Sequence, residues 1–109
     1  MMPDFQQVKI PFLQVMSDSK DWRMQEVIET LAHTFNVSIE ELQRRHPHGQ
    51  KIFSCLVRRA RTEFHDVGLI EKSKRYTYWR ITQRGLDILS KNPDSVDLKQ
   101  LKQESNKQN

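Results

Sequence analysis

The chain has 109 residues, 36% of them hydrophobic, and a formal net charge of +4. That length predicts one domain, too small to join a complete nuclease or ATPase domain to a binding module. A single cysteine, Cys55, excludes an internal disulfide, and neither a signal peptide nor a long apolar run is recognisable. We therefore expect a cytoplasmic protein without a membrane-spanning segment.

Two helices are predicted near the start of the chain. Apolar residues recur at helical spacing over residues 5–16 and again over 24–35. Pro11 falls within the first segment, although proline is tolerated only in the first turn of a helix. Asn36 suits the left-handed position that often follows a helix, and Trp22-Arg23 has the residue types of a short strand.

A short third helix and a longer fourth helix follow. Ser38 and Glu41 have the spacing of a capping box, which predicts a helix over residues 39–45. Residues 46–49, His-Pro-His-Gly, interrupt helical structure. The fourth helix is predicted over residues 50–66, with a glycine just beyond its end.

The fourth helix has two chemically different faces. Successive residues are turned by about 100°, which gathers the apolar side chains on one side. These are Ile52, Phe53, Leu56, Val57, Ala60, Phe64 and, just after the helix, Val67. The opposite side carries Lys51, Ser54, Arg58, Arg61, Thr62 and His65, with Cys55 and Arg59 at its borders. We expect the apolar face to pack into the core and the basic face to be exposed along its length.

A β-hairpin is predicted after this helix. Residues 69–72 and 76–81 are rich in the residue types that favour strands. Trp79 shares a face of the second strand with an isoleucine and should point inward, so we expect a core residue there rather than a stacking platform for bases. The turn, Ser73-Lys74-Arg75, gives the hairpin a basic tip. No aromatic cage for a flipped base is recognisable in the sequence.

The remainder of the chain is predicted to close the domain. Thr82 has the position of an N-cap for a helix over residues 83–91. A further short helix over residues 94–102 would extend the domain over residues 1–102. Residues 103–109 are polar and are expected to form a disordered tail.

Positive charge is concentrated in the middle of the chain. Residues 44–80 hold ten basic and three acidic residues, a net charge of +7. Residues 1–43 have a net charge of −4, and residues 81–109 have a net charge of +1. A basic surface confined to one helix and the hairpin after it indicates a polyanionic partner, most often nucleic acid. The alternative is a solvated basic face without a ligand.

The order of the elements predicts the fold class. Helices, then a basic amphipathic helix, then a hairpin with a basic tip are the parts of a winged helix-turn-helix, a mainly α fold with a small β-hairpin. In that fold the helix before the hairpin enters the major groove of double-stranded DNA, and the hairpin, or wing, touches the flanking backbone or the minor groove. We therefore expect residues 50–67 in the groove and residues 69–81 on the backbone. The candidate DNA-binding residues are Lys51, Ser54, Arg58, Arg59, Arg61, Thr62, His65, Lys72, Lys74 and Arg75.

Four segments carry a resemblance to a known family. They are Phe53-Ser-Cys-Leu-Val-Arg-Arg-Ala-Arg-Thr-Glu-Phe64, Val67-Gly-Leu-Ile-Glu71, Tyr78-Trp-Arg-Ile-Thr-Gln-Arg-Gly85 and Asn92-Pro-Asp-Ser-Val-Asp-Leu-Lys-Gln-Leu101. Over residues 8–102 the chain resembles the N-terminal winged-helix domain of Mrr-type restriction proteins. The resemblance implies a DNA-targeting domain of a type IV, modification-dependent restriction system. In that family a PD-(D/E)xK nuclease domain follows, and an aromatic residue often stands where this chain has Arg59.

No catalytic, metal or cofactor site is expected. Pro93-Asp94 and Asp97-Leu98-Lys99 spell the letters of the nuclease motif, but acids so close together in an irregular tail form no fixed Mg²⁺ site. His46 and His48 lack the further ligands of a zinc site. The chain is therefore predicted to be a non-enzymatic module that acts with a nuclease domain or a partner in trans. The alternatives are a transcriptional regulator, which requires a homodimer and a two-fold operator, and a winged helix that binds a protein.

Overall fold

The elements follow the predicted order along residues 2–91, which are the residues that this computed structural model describes. The helices are α1 (Phe5–Val15), α2 (Met24–Thr34), α3 (Ile39–Gln43), α4 (Ile52–Asp66) and α5 (Gln83–Ser90), and a 3₁₀ turn (Met16–Asp18) follows α1. The strands are β1 (Trp22–Arg23), β2 (Ile70–Lys72) and β3 (Tyr78–Ile81). The predicted helix over residues 94–102 and the predicted tail over residues 103–109 lie outside the described residues.

The core lies where α1, α2 and α4 meet. The predicted apolar face of α4 points into it, and Phe53, Val57, Ala60 and Phe64 are fully buried. Phe12 of α1 contacts Phe64 edge to face, with ring centroids 5.3 Å apart. The other buried apolar side chains are Val8, Leu13, Met16, Met24, Val27, Ile28, Leu31, Ala32, Val67, Leu69, Ile70 and Ile81. Because α4 is fixed by this inner face, its outer face is presented on a rigid support.

Local sequence signals account for several helix ends. Ser38 and Glu41 form the predicted reciprocal capping box, in which both side chain–backbone distances are 3.1 Å. Asn36 and Gly68 have φ angles of 52° and 79°, so both adopt the left-handed conformation expected after a helix. Thr82 accepts a hydrogen bond of 3.2 Å from a backbone N–H in the first turn of α5, as a capping residue does.

The position of Pro11 departs from the sequence rule. It lies well inside α1 rather than in the first turn. A proline there donates no hydrogen bond and crowds the preceding turn, which ordinarily costs about 3 kcal/mol. Its neighbours Phe12 and Leu13 are both fully buried, and burial of two large apolar side chains is sufficient to offset that cost.

The predicted hairpin is confirmed and acquires a third strand. The strand order is β1-β3-β2, and both pairings are antiparallel. Trp79 of β3 pairs with Lys72 of β2 on one side and with Trp22 of β1 on the other. The strands are shorter than predicted, because residues 76–77 belong to the turn of the hairpin.

These elements make a mainly helical fold with a small antiparallel sheet, in the arrangement of a winged helix-turn-helix. The strands β2 and β3 are the wing, and α4 is the helix that precedes it. The arrangement places the outer face of α4 next to the wing. Within residues 2–91, no helix has the length and apolar character that crossing a bilayer requires.

Candidate nucleic-acid interface

The outer face of α4 begins the candidate interface. Lys51, Arg58 and Thr62 are exposed on it, and Ser54 is half-buried. All four line a hollow of about 570 Å³, which we call the helix hollow. Since the opposite face of α4 is packed into the core, these side chains project from a backbone that is held in place.

The loop between α3 and α4 adds an arginine that was not among the predicted site residues. Residues 44–51 fold back on themselves, with Arg45 and Lys51 paired in an isolated antiparallel bridge. The Arg45 guanidinium donates a hydrogen bond to the carbonyl oxygen of Gly49. Besides the predicted residues, the helix hollow is lined by Gln25, Arg45, Gln50 and Cys55. The only sequence signal for Arg45 was its place within the basic segment, because the fold of the loop decides where its side chain lies.

Arg61 occupies the centre of the surface and corrects the expectation that the whole basic face of α4 is exposed. It is half-buried. Its guanidinium carbon lies 5.4 Å from the centroid of the Trp79 ring, and among the described residues its Nε has no hydrogen-bond partner. Burial, with the charge of Arg58 as a second cause, lowers the pKa of Arg61 from its ordinary value. Arg61 is therefore a partly desolvated cation held against an aromatic ring.

Trp79 joins α4 to the wing. It is half-buried and packs against the core, and the ring of His65 meets it edge to face with centroids 5.4 Å apart. The ammonium of Lys72 lies 5.8 Å from the same ring centroid. One indole thus contacts cationic or polar side chains from both the helix and the wing, so the two parts of the interface are mechanically connected.

The wing has a hollow of its own at the far end of the surface. This wing hollow measures about 220 Å³ and includes the predicted residues Lys72 and Arg75. The Arg75 guanidinium lies 4.1 Å from the centroid of the Tyr78 ring. The remaining lining residues are Ser73, Tyr76, Thr77, Tyr78 and Trp79.

A third hollow connects the other two. This middle hollow of about 400 Å³ shares Arg58 and Arg61 with the helix hollow. It shares Thr77 and Trp79 with the wing hollow. The three hollows therefore form one continuous surface from residues 44–51 along α4 to the wing, which we call the basic track.

Most of the positive charge near the track is not neutralised by acids. Within the segment of residues 44–80, Arg59 lies 3.7 Å from Glu63 and Arg80 lies 2.8 Å from Glu71. For the other eight basic side chains of that segment, no carboxylate of residues 2–91 lies within 4.0 Å. Concave surfaces lined by charges of one sign focus the electrostatic potential. The basic track thus has the electrostatic character of a surface for a polyanion.

The predicted site residues differ in how they relate to the track. His65 lies against Trp79, and Lys74 is exposed at the tip of the wing, but neither lines one of the three hollows. The structure brings the others together along the track: Lys51, Ser54, Arg58, Arg59, Arg61, Thr62, Lys72 and Arg75.

The described residues include no obvious metal centre. Over residues 2–91, no three side chains of the types that hold metals come together. His46 and His48 stack on each other, with ring centroids 4.8 Å apart. Cys55 is half-buried, and its thiol donates to the side-chain oxygen of Gln50 at 3.2 Å. The side chains of the track offer charge, hydrogen bonding and aromatic contact.

Comparison with protein families provides independent support for the sequence resemblance. The chain matches the family described as the Mrr N-terminal domain over residues 5–91. This chain belongs to the Mrr N-terminal domain family. The matched range contains the whole basic track and three of the four resembling segments, while residues 92–101 follow it. Neither the curated proteins nor the solved structures contain a match.

Position 59 has a packing role in this Mrr N-terminal domain. The Arg59 guanidinium lies 4.0 Å from the centroid of the Phe5 ring, which belongs to α1. A guanidinium is planar and weakly hydrated, so it packs favourably against an aromatic ring. The neighbouring Glu63 further neutralises its charge. Of the predicted site residues in the helix hollow, Arg59 is thus the one whose charge has an acidic partner among residues 2–91.

Proposed function

We propose that this Mrr N-terminal domain binds double-stranded DNA and is the targeting module of a type IV, modification-dependent restriction system. The observation that carries the proposal is the basic track, which joins the outer face of α4 to the wing. Its cations are largely without acidic partners among residues 2–91. Neutralisation of phosphates by such side chains supplies most of the affinity of DNA-binding domains.

In the proposed complex, α4 lies in the major groove. An α-helix fits there because the groove is about 12 Å wide. Lys51 and Ser54 stand at the start of α4, and Arg58 stands in its middle, where an arginine can donate two hydrogen bonds to guanine or grip a phosphate. The exposure of Lys51 and Arg58 supports this placement.

The wing is proposed to lie on the flanking backbone. Lys72, Lys74 and Arg75 are exposed on β2 and the turn that follows it. Contacts from such side chains to phosphates position a protein on DNA and raise its affinity without reading sequence. We therefore expect α4 to recognise the base sequence and the wing to bind the phosphate backbone.

The module is proposed to be non-enzymatic and to require no cofactor. Cleavage would come from a nuclease domain or from a partner in trans, within the cytoplasm. A dimeric transcriptional regulator would instead bind two-fold symmetric operators with regular half-site spacing. Binding of a monomer to duplexes without such symmetry separates the two functions, and a purely protein-binding winged helix would bind neither kind of duplex.

Titration of a random-sequence duplex at several salt concentrations tests the proposal. If about four to six phosphates are neutralised, the logarithm of the binding constant should fall against the logarithm of salt concentration with a slope of roughly −4 to −5. Arg58→Ala should weaken binding. The matched control is Lys20→Ala, which removes one exposed charge that lines none of the three hollows. No binding near about 50 mM salt, or a flat salt response, would show that the track is not a DNA surface.

A further inference from the structure

The turn of the wing carries an exposed aromatic side chain, which a surface that binds a polyanion by charge alone does not require. Tyr76 is 92% exposed. In residues 2–91 the other large hydrophobic side chain of this kind is Ile39, at 73%. Single exposed apolar residues are ordinary on protein surfaces, so exposure alone indicates no function. The neighbours of Tyr76 distinguish it from Ile39.

Tyr76 lines the wing hollow together with two more aromatic residues, Tyr78 and Trp79. Two cations, Lys72 and Arg75, line the same hollow, and Arg75 already lies 4.1 Å from the centroid of the Tyr78 ring. Rings beside cations are the combination with which proteins hold unstacked nucleobases, because the rings stack on the base while the cations meet the phosphates. Ile39, in contrast, is followed in the chain by two glutamates, which would repel a phosphate.

Backbone hydrogen bonds close the turn that carries Tyr76. The N–H of Ser73 donates to the carbonyl of Tyr78 at 2.9 Å, and the N–H of Tyr78 donates to the carbonyl of Arg75 at 3.1 Å. Thr77, directly after Tyr76, has a φ of 68°, which β-branched residues rarely adopt. Backbone strain of this kind persists only where the surrounding structure imposes it, and it is frequent at ligand contacts.

We propose that the wing hollow binds a nucleobase that has left the stack of the DNA, with Tyr76 as the stacking residue and with Lys72 and Arg75 on the adjacent phosphates. This inference rests on the proposed DNA-binding function and deepens it. The wing then recognises an unpaired or extruded base in addition to the backbone. The middle hollow gives such a strand a path from α4, because it shares Thr77 and Trp79 with the wing hollow.

Three duplexes of one sequence test the inference by fluorescence anisotropy. The first is fully paired, the second has a single unpaired adenine, and the third has an abasic nucleotide in place of that adenine. The second and third have the same number of nucleotides and phosphates and differ covalently only in the base. The wild-type protein should bind the unpaired adenine about 5- to 100-fold more tightly than the abasic site, the range expected for one base stacked on an aromatic side chain.

Three variants complete the experiment. Tyr76→Ser should abolish the difference between adenine and the abasic site, whereas Tyr76→Phe, which keeps the ring, should retain it. Ile39→Ser removes the other exposed apolar side chain and should bind like the wild-type protein. Equal affinity of the wild-type protein for the two bulged duplexes, or an undiminished difference in Tyr76→Ser, overturns the inference while binding to the paired duplex still supports the proposed function. No binding to any of the three duplexes overturns both.

Discussion

The two ends of the basic track differ in the types of side chain that they present and in the backbone element that carries those side chains. At the α4 end, Lys51 and Arg58 project from a helix whose other face contains four fully buried residues. At the wing end, Arg75 and Tyr76 stand on a hairpin turn, and both are exposed. Rigid helices hold hydrogen-bond donors at fixed positions, which suits the reading of base edges, whereas a turn with aromatic rings suits stacking, which tolerates sequence variation. In the proposed complex, one continuous surface would therefore combine two modes of DNA contact.

The largest expected effect comes from detaching the wing from the helical body. Gly85 of α5 lies against the foot of the wing, where Leu69 precedes β2 and Ile81 ends β3. A Cβ atom at position 85 would collide with the carbonyl oxygen of Leu69 and come within 2.7 Å of Ile81 Cγ1. A backbone carbonyl cannot move aside easily, so Gly85→Ala should lower the free energy of unfolding by about 3 kcal/mol. Urea denaturation followed by circular dichroism measures the change.

Gly49→Ala is the matched control for that variant. Gly49 has a φ of 97° with nothing within 4 Å of its missing Cβ, so alanine there meets only backbone strain. That strain should cost about 1–2 kcal/mol. If Gly85→Ala proves no more destabilising than Gly49→Ala, the foot of the wing is free to shift, and the wing is held to the helical body less firmly than the contacts of Gly85 with Leu69 and Ile81 indicate.

Loss of side chains at the two ends should affect DNA binding in different ways. Arg58→Ala should cost about 1–3 kcal/mol on a preferred site and less on random DNA, because arginine can reach base edges from α4. Lys74→Ala combined with Arg75→Ala should weaken all duplexes about equally and reduce the salt slope by roughly two units. Titrations of both proteins against preferred and scrambled duplexes decide between these outcomes. If only the Lys74→Ala, Arg75→Ala protein loses its preference for the preferred duplex, the wing and not α4 recognises the DNA sequence.

Arg61 lies between the two ends of the track, and its substitution should change DNA affinity without a comparable change in the free energy of unfolding. Its guanidinium is half-buried, and within the described part of the chain its Nε is unpartnered, so Arg61→Met removes a desolvated charge while keeping the stem that packs near Trp79. Stability should stay within about 1 kcal/mol of the wild-type value, and DNA affinity should fall. Chemical denaturation and DNA titration of the same preparation check both. A much larger loss of stability would mean that the contact with Trp79 holds the wing in place.

The smallest expected effect concerns the strand that supports the wing from the other side. Trp22 of β1 donates its indole N–H to Asp18 at 3.0 Å, and this hydrogen bond is the main cause that lowers the pKa of the Asp18 carboxyl. Because the pKa is lower in the folded than in the unfolded state, the stabilisation exists above the unfolded pKa and is lost as the pH falls through the folded one.

The unfolding free energy of the wild-type protein should therefore decrease more than that of Asp18→Asn between about pH 5 and pH 3. Asp18 is exposed, so solvent screening should keep the difference below about 1 kcal/mol. Thermal melts of both proteins across that pH range provide the comparison. Parallel curves would show that the link between Asp18 and Trp22 does not stabilise the sheet.

Local chemistry made much of the fold predictable. Apolar periodicity located α1, α2 and α4, and the capping residues Ser38 and Thr82 marked the starts of α3 and α5. These signals act within a few residues, so the sequence displays them directly. The separation of charge between residues 1–43 and residues 44–80 likewise indicated which face of the molecule could meet a polyanion.

Contacts between distant parts of the chain determined the features of the candidate site that the sequence did not predict. The helical pattern placed Arg61 on the exposed side of α4, but the wing brings Trp79 against it and buries part of it. Arg45 joined the helix hollow only through the fold of the loop before α4. Similarly, no aromatic cage was recognisable in the sequence, although Tyr76, Tyr78 and Trp79 all line the wing hollow. Whether a turn and its partner strands gather such rings around one hollow depends on pairing and packing across the chain, which periodicity and residue type do not encode.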